Sequence, residues 1–303
     1  MRIHPMAGAL LRALVVLIVA LLTMRSPPGS APDSVACDAS DASDYFGNSV
    51  FVVGLRRARR ALHGAILAPI AAIQAMRATH PLLRPTRGVL LHGPPGTGKT
   101  LLGRWVAMRL DGAFVAVTPD SVQCRWYGET PRRVRELFRT ARARAPCVLF
   151  FDEIDGMLRS RSSGEMGVER EFKTTMLSEM SRAEDDDGPI VVLMGATNRP
   201  DDVDAAVLRR LPLHVHVPLP GARARTRMLA RHLRWTVSGG LDWFAGVSEG
   251  LTCSDIHEVA RAAVRLAHER RACGGVSVDE RDVRDATSTV AVRTSVRPSA
   301  GWL

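Results

Sequence analysis

The run Gly93-Pro94-Pro95-Gly96-Thr97-Gly98-Lys99-Thr100 constrains this chain more than any other stretch. It satisfies the pattern G-x-x-x-x-G-K-[ST] at every specified position. The apolar segment Val89-Leu90-Leu91-His92 ahead of it reads as a short buried strand, and Leu101 to Leu110 behind it reads as a helix. Strand, loop and helix in that order are the context in which such a run binds phosphate instead of making an ordinary Gly/Pro turn. Glycines let the backbone turn tightly and aim successive N–H groups at phosphate oxygens. The helix opened by Leu101 adds the partial positive charge of its N-terminus. Lys99 would reach the β- and γ-phosphates, and the Thr100 hydroxyl would ligate Mg²⁺. Lys99 and Lys173 are the only lysines among 41 basic residues. Arginine's planar fork cannot replace a compact ammonium between two phosphates, so a lysine at this one place is what phosphate binding demands.

The 303 residues and the hydrophobic fraction of 46% suit one large or two smaller globular domains with a proper core. The net charge of +10 is carried almost wholly by arginine. It fits nucleic acid, anionic lipid or an acidic partner. The arginines are spread along helices, and no aromatic-interleaved basic patch accompanies them, so compositional bias is the favoured reading and no nucleic acid is expected. Cys37, Cys124, Cys147, Cys253 and Cys273 are odd in number and show no C-x-x-C or zinc spacing. A reducing compartment follows.

Residues 1–32 contain no Asp or Glu, and Ala13 to Met24 is nearly all apolar. Extended back to Met6, the segment approaches the ~20 residues that a spanning helix needs. A membrane anchor over 1–25, a signal peptide and a mitochondrial targeting segment all fit it. The anchor is favoured, with Arg12 near one interface. Residues 26–48, rich in Ser, Pro, Ala and Asp, read as a disordered tether. Arg56 to Arg77 has helical apolar spacing, which Pro69 should break or bend. Five apolar runs follow: Gly88–His92, Ala113–Thr118, Cys147–Phe151, Ile190–Gly195 and Leu213–Val217. Helical segments separate them, so the fold class is α/β, a five-stranded parallel sheet flanked by helices. After Pro218-Leu219-Pro220 the strand signals stop. Arg223–Leu233, Trp243–Ser248, Ser254–Arg271 and Asp279–Ala286 read as a small all-helical lid. The division is therefore 49–220 for the α/β domain, 221–290 for the lid and 291–303 for a tail.

The third apolar run ends in Asp152-Glu153. A strand-end Asp-Glu pair is common by itself. At this distance behind a phosphate loop, Asp152 is placed to hold Mg²⁺, and Glu153 to accept a proton from an attacking water. The fourth run leads into Ala196-Thr197-Asn198, where the Asn198 amide could hold the same water and sense the γ-phosphate. Taken alone Asn198 is an ordinary turn residue.

Together, GPPGTGKT, FFDEID, GATNRP and Gly250-Leu251-Thr252-Cys253-Ser254-Asp255-Ile256 make the chain resemble the AAA ATPases of the meiotic clade over about residues 50–290. That clade includes the severing enzymes katanin, spastin and fidgetin, the ESCRT-disassembling ATPase, and the membrane-anchored thorases. The resemblance implies an AAA+ module that binds ATP and Mg²⁺ at the interfaces of a homohexamer and threads polypeptide through a central pore. It implies that Val53 and Gly54 line the adenine pocket and that Ser254 and Asp255 lie on the ribose side. It matches Arg209 and Arg210 to arginine fingers that reach the neighbouring subunit's γ-phosphate. On their own, these two residues in so Arg-rich a chain would be a solvated turn. Trp126 and Tyr127 are adjacent large aromatics of a kind that normally goes inside. The resemblance places them in the first pore loop, gripping substrate through apolar surface.

The Trp126-Tyr127 pair and Leu158-Arg159-Ser160-Arg161-Ser162-Ser163 are most similar to thorase. The implied function is ATP-driven extraction of mislocalised or tail-anchored proteins from a membrane, with the ATPase domain in the cytosol at the mitochondrial outer membrane or the peroxisome. Three departures stand out. Met166-Gly167-Val168 replaces the family's His-Glu-Ala turn in the second pore loop, Cys253 replaces a usual glycine, and Leu211-Pro212-Leu213-His214 lacks an arginine. The rivals are a severing enzyme, an ESCRT disassembler and a nucleotide-binding scaffold that does not hydrolyse. The intact Asp152-Glu153 pair argues against the last.

Overall fold

The computed structural model describes residues 50, 52–76, 85–119, 129–158, 167–185, 188–233, 241, 243–270 and 278–295. The anchor expected over 1–25, the tether over 26–48, Trp126 and Tyr127, the stretch 159–166 before the second pore loop and residues 296–303 of the tail lie outside the described residues. Among the described residues no helix is long and apolar enough to cross a membrane.

Five strands, β1 (Gly88–His92), β2 (Ala113–Val117), β3 (Cys147–Phe151), β4 (Val191–Thr197) and β5 (Leu213–His216), form one sheet among the described residues. Their order is β2-β3-β4-β1-β5, and every pairing is parallel. The α/β expectation holds, strand for strand, with ends differing by one or two residues. Each strand is an unbroken apolar run because both faces of the sheet are covered. Successive side chains alternate between two cores. Leu90, Leu149 and Phe151 face one with Phe138 and Met176; Val89, Leu91, Val148 and Phe150 face the other with Leu102 and Trp105.

The first core is covered by α4 (Glu129–Ala143) and α6 (Gly167–Asp185), and the short α5 (Ile154–Met157) follows β3. The second is covered by α1 (Arg56–Leu62), α2 (Ala68–Met76) and α3 (Lys99–Arg109). Pro69 does not break the first helical stretch. A π-turn over His63–Leu67 joins α1 to α2, and the Ala68 N–H reaches back to the His63 carbonyl. Pro69 has no N–H for the carbonyl four residues earlier, that of Ala65. Thr86 N–H donates to this carbonyl at 3.0 Å instead. A neighbouring segment supplies the donor that proline lacks, so the helix continues.

A short α7 (Ala205–Arg210) leads into β5, and α8 (Ala222–Leu233), α9 (Phe244–Val247), α10 (Cys253–Arg270) and α11 (Glu280–Ser295) follow. The last four share a separate core that includes Leu229, Phe244, Ile256, Val259, Ala263 and Val283. Buried Arg225 pins α8 to α9. Its Nε donates to Ser248 Oγ at 2.9 Å, and its two terminal nitrogens donate to the carbonyls of Pro220 and Ala245 at 2.9 and 2.7 Å. α11 runs five residues past the expected lid boundary at 290, with Val290 still in the core.

In register, His92 lies opposite Thr197 and Phe151 opposite Gly195. The residues after β1, β3 and β4 therefore leave the sheet side by side at its carboxyl edge, where open α/β sheets bind ligands.

Candidate nucleotide site

Three glycines of the 93–100 loop have positive φ: Gly93 at 148°, Gly96 at 73° and Gly98 at 95°. At two of them no other residue fits. A Cβ at Gly93 would lie 2.3 Å from the Val217 carbonyl oxygen, and one at Gly96 would lie 2.8 Å from Thr252 Oγ1. Thr97 Oγ1 donates to the Pro94 carbonyl at 2.9 Å and closes the turn. α3 then starts at Lys99 with no side-chain cap and no acidic residue in its first turn. The N–H groups of that turn and the positive end of the helix dipole are what an anion requires.

Lys99 is 8% exposed. Its ammonium donates to the carbonyls of Gly93 and Pro94 at 2.9 Å each and to Asn198 Oδ1 at 2.6 Å. Burial lowers its pKa, while the carboxylates of Asp152 and Asp155 pull the other way. Thr100 Oγ1 donates to Asp152 Oδ2 at 3.0 Å. Asp152 is held by its own N–H on the Val117 carbonyl at 3.0 Å, and its Oδ1 accepts from Glu153 N–H at 3.1 Å. Glu153 is exposed and sits in the left-handed region at φ 50°. That conformation costs a non-glycine residue about 1–2 kcal/mol, and such outliers gather at functional sites. Thr197 Oγ1 donates to Asp155 Oδ1 at 2.7 Å and accepts from Arg199 N–H at 2.8 Å, which fixes the chain on both sides of Asn198. The structure thus brings together two bonded pairs, Lys99–Asn198 and Thr100–Asp152, in a cluster joined by the adjacency of Lys99 and Thr100, with Glu153 next to Asp152.

This donor set fits a nucleotide triphosphate with its metal. Lys99 already has three oxygen partners where phosphate oxygens would replace some of them. The Thr100 hydroxyl and Asp152 carboxylate present adjacent hard oxygens of the kind Mg²⁺ takes.

Beside the loop, a cleft of about 550 Å³ is lined in part by Val53, Gly54, His216, Pro218, Ala224 and Cys253. It spans the α/β domain and the lid. The lid touches the loop directly: Ser254 N–H donates to the Gly96 carbonyl at 3.2 Å, and the Cys253 thiol to the Thr97 carbonyl at 3.4 Å. Burial pushes that thiol up to about 11. Asp255, expected on the ribose side, is 4% exposed. Its Oδ2 accepts from Thr252 N–H at 2.9 Å and Thr252 Oγ1 at 2.7 Å, a capping box at the start of α10. Its carboxylate orients the helix that carries Cys253 and Ser254.

Arg209 is exposed at the end of α7, while Arg210 Nε donates to Ser181 Oγ at 3.0 Å on α6 of the same chain. Sequence reasoning missed Asp155, Thr197 and the buried Lys173–Asp204 pair at 3.4 Å. Only the Thr252-x-x-Asp255 pattern carried a readable signal for its contact. At the mouth of the loop, the His92 ring lies 5.2 Å from that of His216, and burial together with His216, His214 and Lys99 lowers its pKa.

The profile of the family described as "ATPase family associated with various cellular activities (AAA)" matches residues 89–219. The chain is 39% identical over 220 residues to a Cell division cycle protein 48 homolog of Archaeoglobus fulgidus, covering 71% of this chain and 30% of that protein. It is 39% identical over 189 residues to the Outer mitochondrial transmembrane helix translocase of Danio rerio, covering 60% of this chain and 49% of that one. The chain spans about half or less of the length of these curated relatives. Among solved structures, the FIGL-1 AAA domain in complex with ADP superposes with a TM-score of 0.67 at 28% identity, covering 82% of this chain and 84% of that one.

Proposed function

This chain belongs to the AAA ATPases of the meiotic clade, and from that premise we propose that it hydrolyses ATP as a homohexamer to pull proteins out of a membrane through a central pore. The observation that supports hydrolysis best is the cluster of Lys99, Thr100, Asp152 and Asn198 at the carboxyl edge of the sheet.

In this reading the 93–98 loop amides and Lys99 hold the phosphates, and Leu101 continues the helix start behind them. Val53, Gly54 and Ser254 border the base and ribose. Mg²⁺, held by Thr100 and Asp152, would neutralise charge on the β- and γ-phosphates. Glu153 takes a proton from water, and Asn198 orients that water while contacting Lys99. Arg209 or Arg210 of the adjoining subunit spreads the charge that builds on the transferred group. Trp126 and Tyr127 grip the substrate.

The membrane part of the proposal draws on the apolar segment 6–24 and on likeness to the transmembrane helix translocase. Likeness to the FIGL-1 domain favours the severing reading as the alternative. A paired assay separates them. Full-length protein and ATP are given liposomes carrying a single-span tail-anchored reporter, and in parallel stabilised microtubules. Release of the reporter into solution, lost in Glu153→Gln, is the expected result. Shortened microtubules with no reporter release would replace extraction by severing. ATP turnover with neither effect would leave the ATPase without this client class.

A further inference from the structure

Away from the phosphate loop, α1 and α8 bring Arg56, Arg59, Arg227 and Arg231 around one pocket of about 410 Å³. Its other described lining residues are Val52, Val53 and Gly54, so among the described residues no carboxylate lines it and no residue of the 93–100 loop takes part. Neither parent helix contains an acid: α1 reads RRARRAL and α8 reads ARARTRMLARHL.

Elsewhere several arginines are answered by carboxylates. Arg142 and Arg182 both pair with Glu179, Arg270 with Asp279 and Asp282, and Arg284 with Glu280. Among the described residues Arg56, Arg59 and Arg227 form no ion pair. The buried Nε of Arg59 has no hydrogen-bond partner. Its guanidinium carbon lies over the Trp105 ring, 5.1 Å from the centroid. A composition rich in arginine explains many arginines. It does not by itself gather four of them around one pocket with no acid among its described lining residues.

Like charges gathered in a partly enclosed pocket repel, and an anion placed among them turns that repulsion into attraction. Guanidinium forks match phosphate oxygens two at a time. Two forks on each of two facing helices call for a ligand with several phosphate groups. We infer that this arginine pocket binds a small, multiply phosphorylated anion that bridges α1 of the α/β domain to α8 of the lid. Val53, Gly54 and Arg56 line both this pocket and the nucleotide cleft, so its occupancy feeds into the lid position at the nucleotide.

The test uses the full chain with its nucleotide site saturated by Mg·ADP and inositol hexakisphosphate as the probe, titrated calorimetrically at about 0.15 M salt. One-to-one binding is expected. The double variant Arg56→Gln/Arg227→Gln should weaken it at least about tenfold, since it removes one fork from each helix. A control losing the same charge from exposed positions elsewhere, Arg223→Gln/Arg281→Gln, should bind as the parent does. Equal weakening in both variants would reduce the effect to net charge and overturn the site. So would the absence of binding, or binding that disappears once Mg·ADP is present. Tighter, Arg56/Arg227-dependent binding of a charge-matched poly-glutamate peptide would overturn the phosphate assignment in favour of an acidic protein partner. Phosphatidylcholine vesicles with and without phosphatidylinositol bisphosphate identify the source. Arginine-dependent sedimentation with the phosphorylated lipid assigns a headgroup, and binding of the soluble probe alone assigns a free phosphate.

Discussion

Lys99 is buried and has acceptors at 2.9, 2.9 and 2.6 Å. An ammonium can satisfy three convergent acceptors; a planar guanidinium is longer and cannot. Lys99→Arg is therefore expected to lose ATP binding and turnover by about 100-fold or more despite keeping the charge, as read by steady-state phosphate release and by fluorescent-nucleotide titration. Parent-like activity would remove Lys99 from the phosphate site. Cys253 gives a pH prediction at the same scale. Burial pushes its thiol up to about 11, so the thiolate is scarce at pH 8 and its abundance climbs about tenfold per pH unit toward 10. Labelling of Cys253 by iodoacetamide in the native chain should follow that climb, whereas a plateau near pH 9 would mark an ordinary exposed thiol. The phosphate-loop residues were legible in the sequence because their spacing is dictated by a ligand of fixed shape. Asp155 was not, since its partner Thr197 is 42 positions away and only strand pairing brings them within 2.7 Å.

The helix that carries Arg209 and Arg210 has six residues and is held at both ends by α6. At its start, Asp204 caps Ala206 N–H at 2.7 Å and pairs with buried Lys173 at 3.4 Å; at its end, Arg210 reaches Ser181. So short a helix has little stability of its own and takes its position from these contacts. Lys173→Met should leave Asp204 buried with less compensation, tilt α7, and lower kcat about tenfold or more while the nucleotide Kd stays near the parent value. An unchanged kcat would detach α7 from the reaction. In the lid, His232 of α8 meets His257 of α10 edge-on at 4.9 Å. Burial, then His257 and Arg231, lowers the His232 pKa to about 4. The unfolded chain takes up that proton near pH 6.5, so this contribution is intact above about 6.5 and is lost as pH falls toward 4. Discounted for partial exposure, the loss is roughly 1–2 kcal/mol. Urea midpoints at pH 7 and pH 5 should differ less in His232→Gln than in the parent; an equal difference would assign the pH dependence elsewhere. Strands were readable as elements because burial on both faces leaves an unbroken apolar run. The π-turn was not, because Pro69 announces a missing donor but not that Thr86 will serve the Ala65 carbonyl.

Across the whole molecule, the groups gathered at the nucleotide cluster come from one chain, yet neither arginine at the end of α7 is bonded to that cluster among the described residues. Arg209 is exposed, and Arg210 bonds Ser181. If the fingers act between subunits, a nucleotide site needs Glu153 from one copy and Arg209 from the next. Two inactive variants should then rescue each other. Arg209→Ala retains a sound Glu153, and Glu153→Gln retains a sound Arg209. In a random equal mixture about a quarter of the interfaces pair the intact halves, because each of the two required neighbours is present half the time. Turnover in the mixture should rise well above either variant alone and peak near equal proportions, with a steep dependence on total protein concentration as rings assemble. A mixture no more active than its components at any ratio would place the missing cation within the chain and remove the main argument for a ring. The same measurement made across protein concentration separates that outcome from failure to assemble, since a ring that forms without rescue still changes sedimentation.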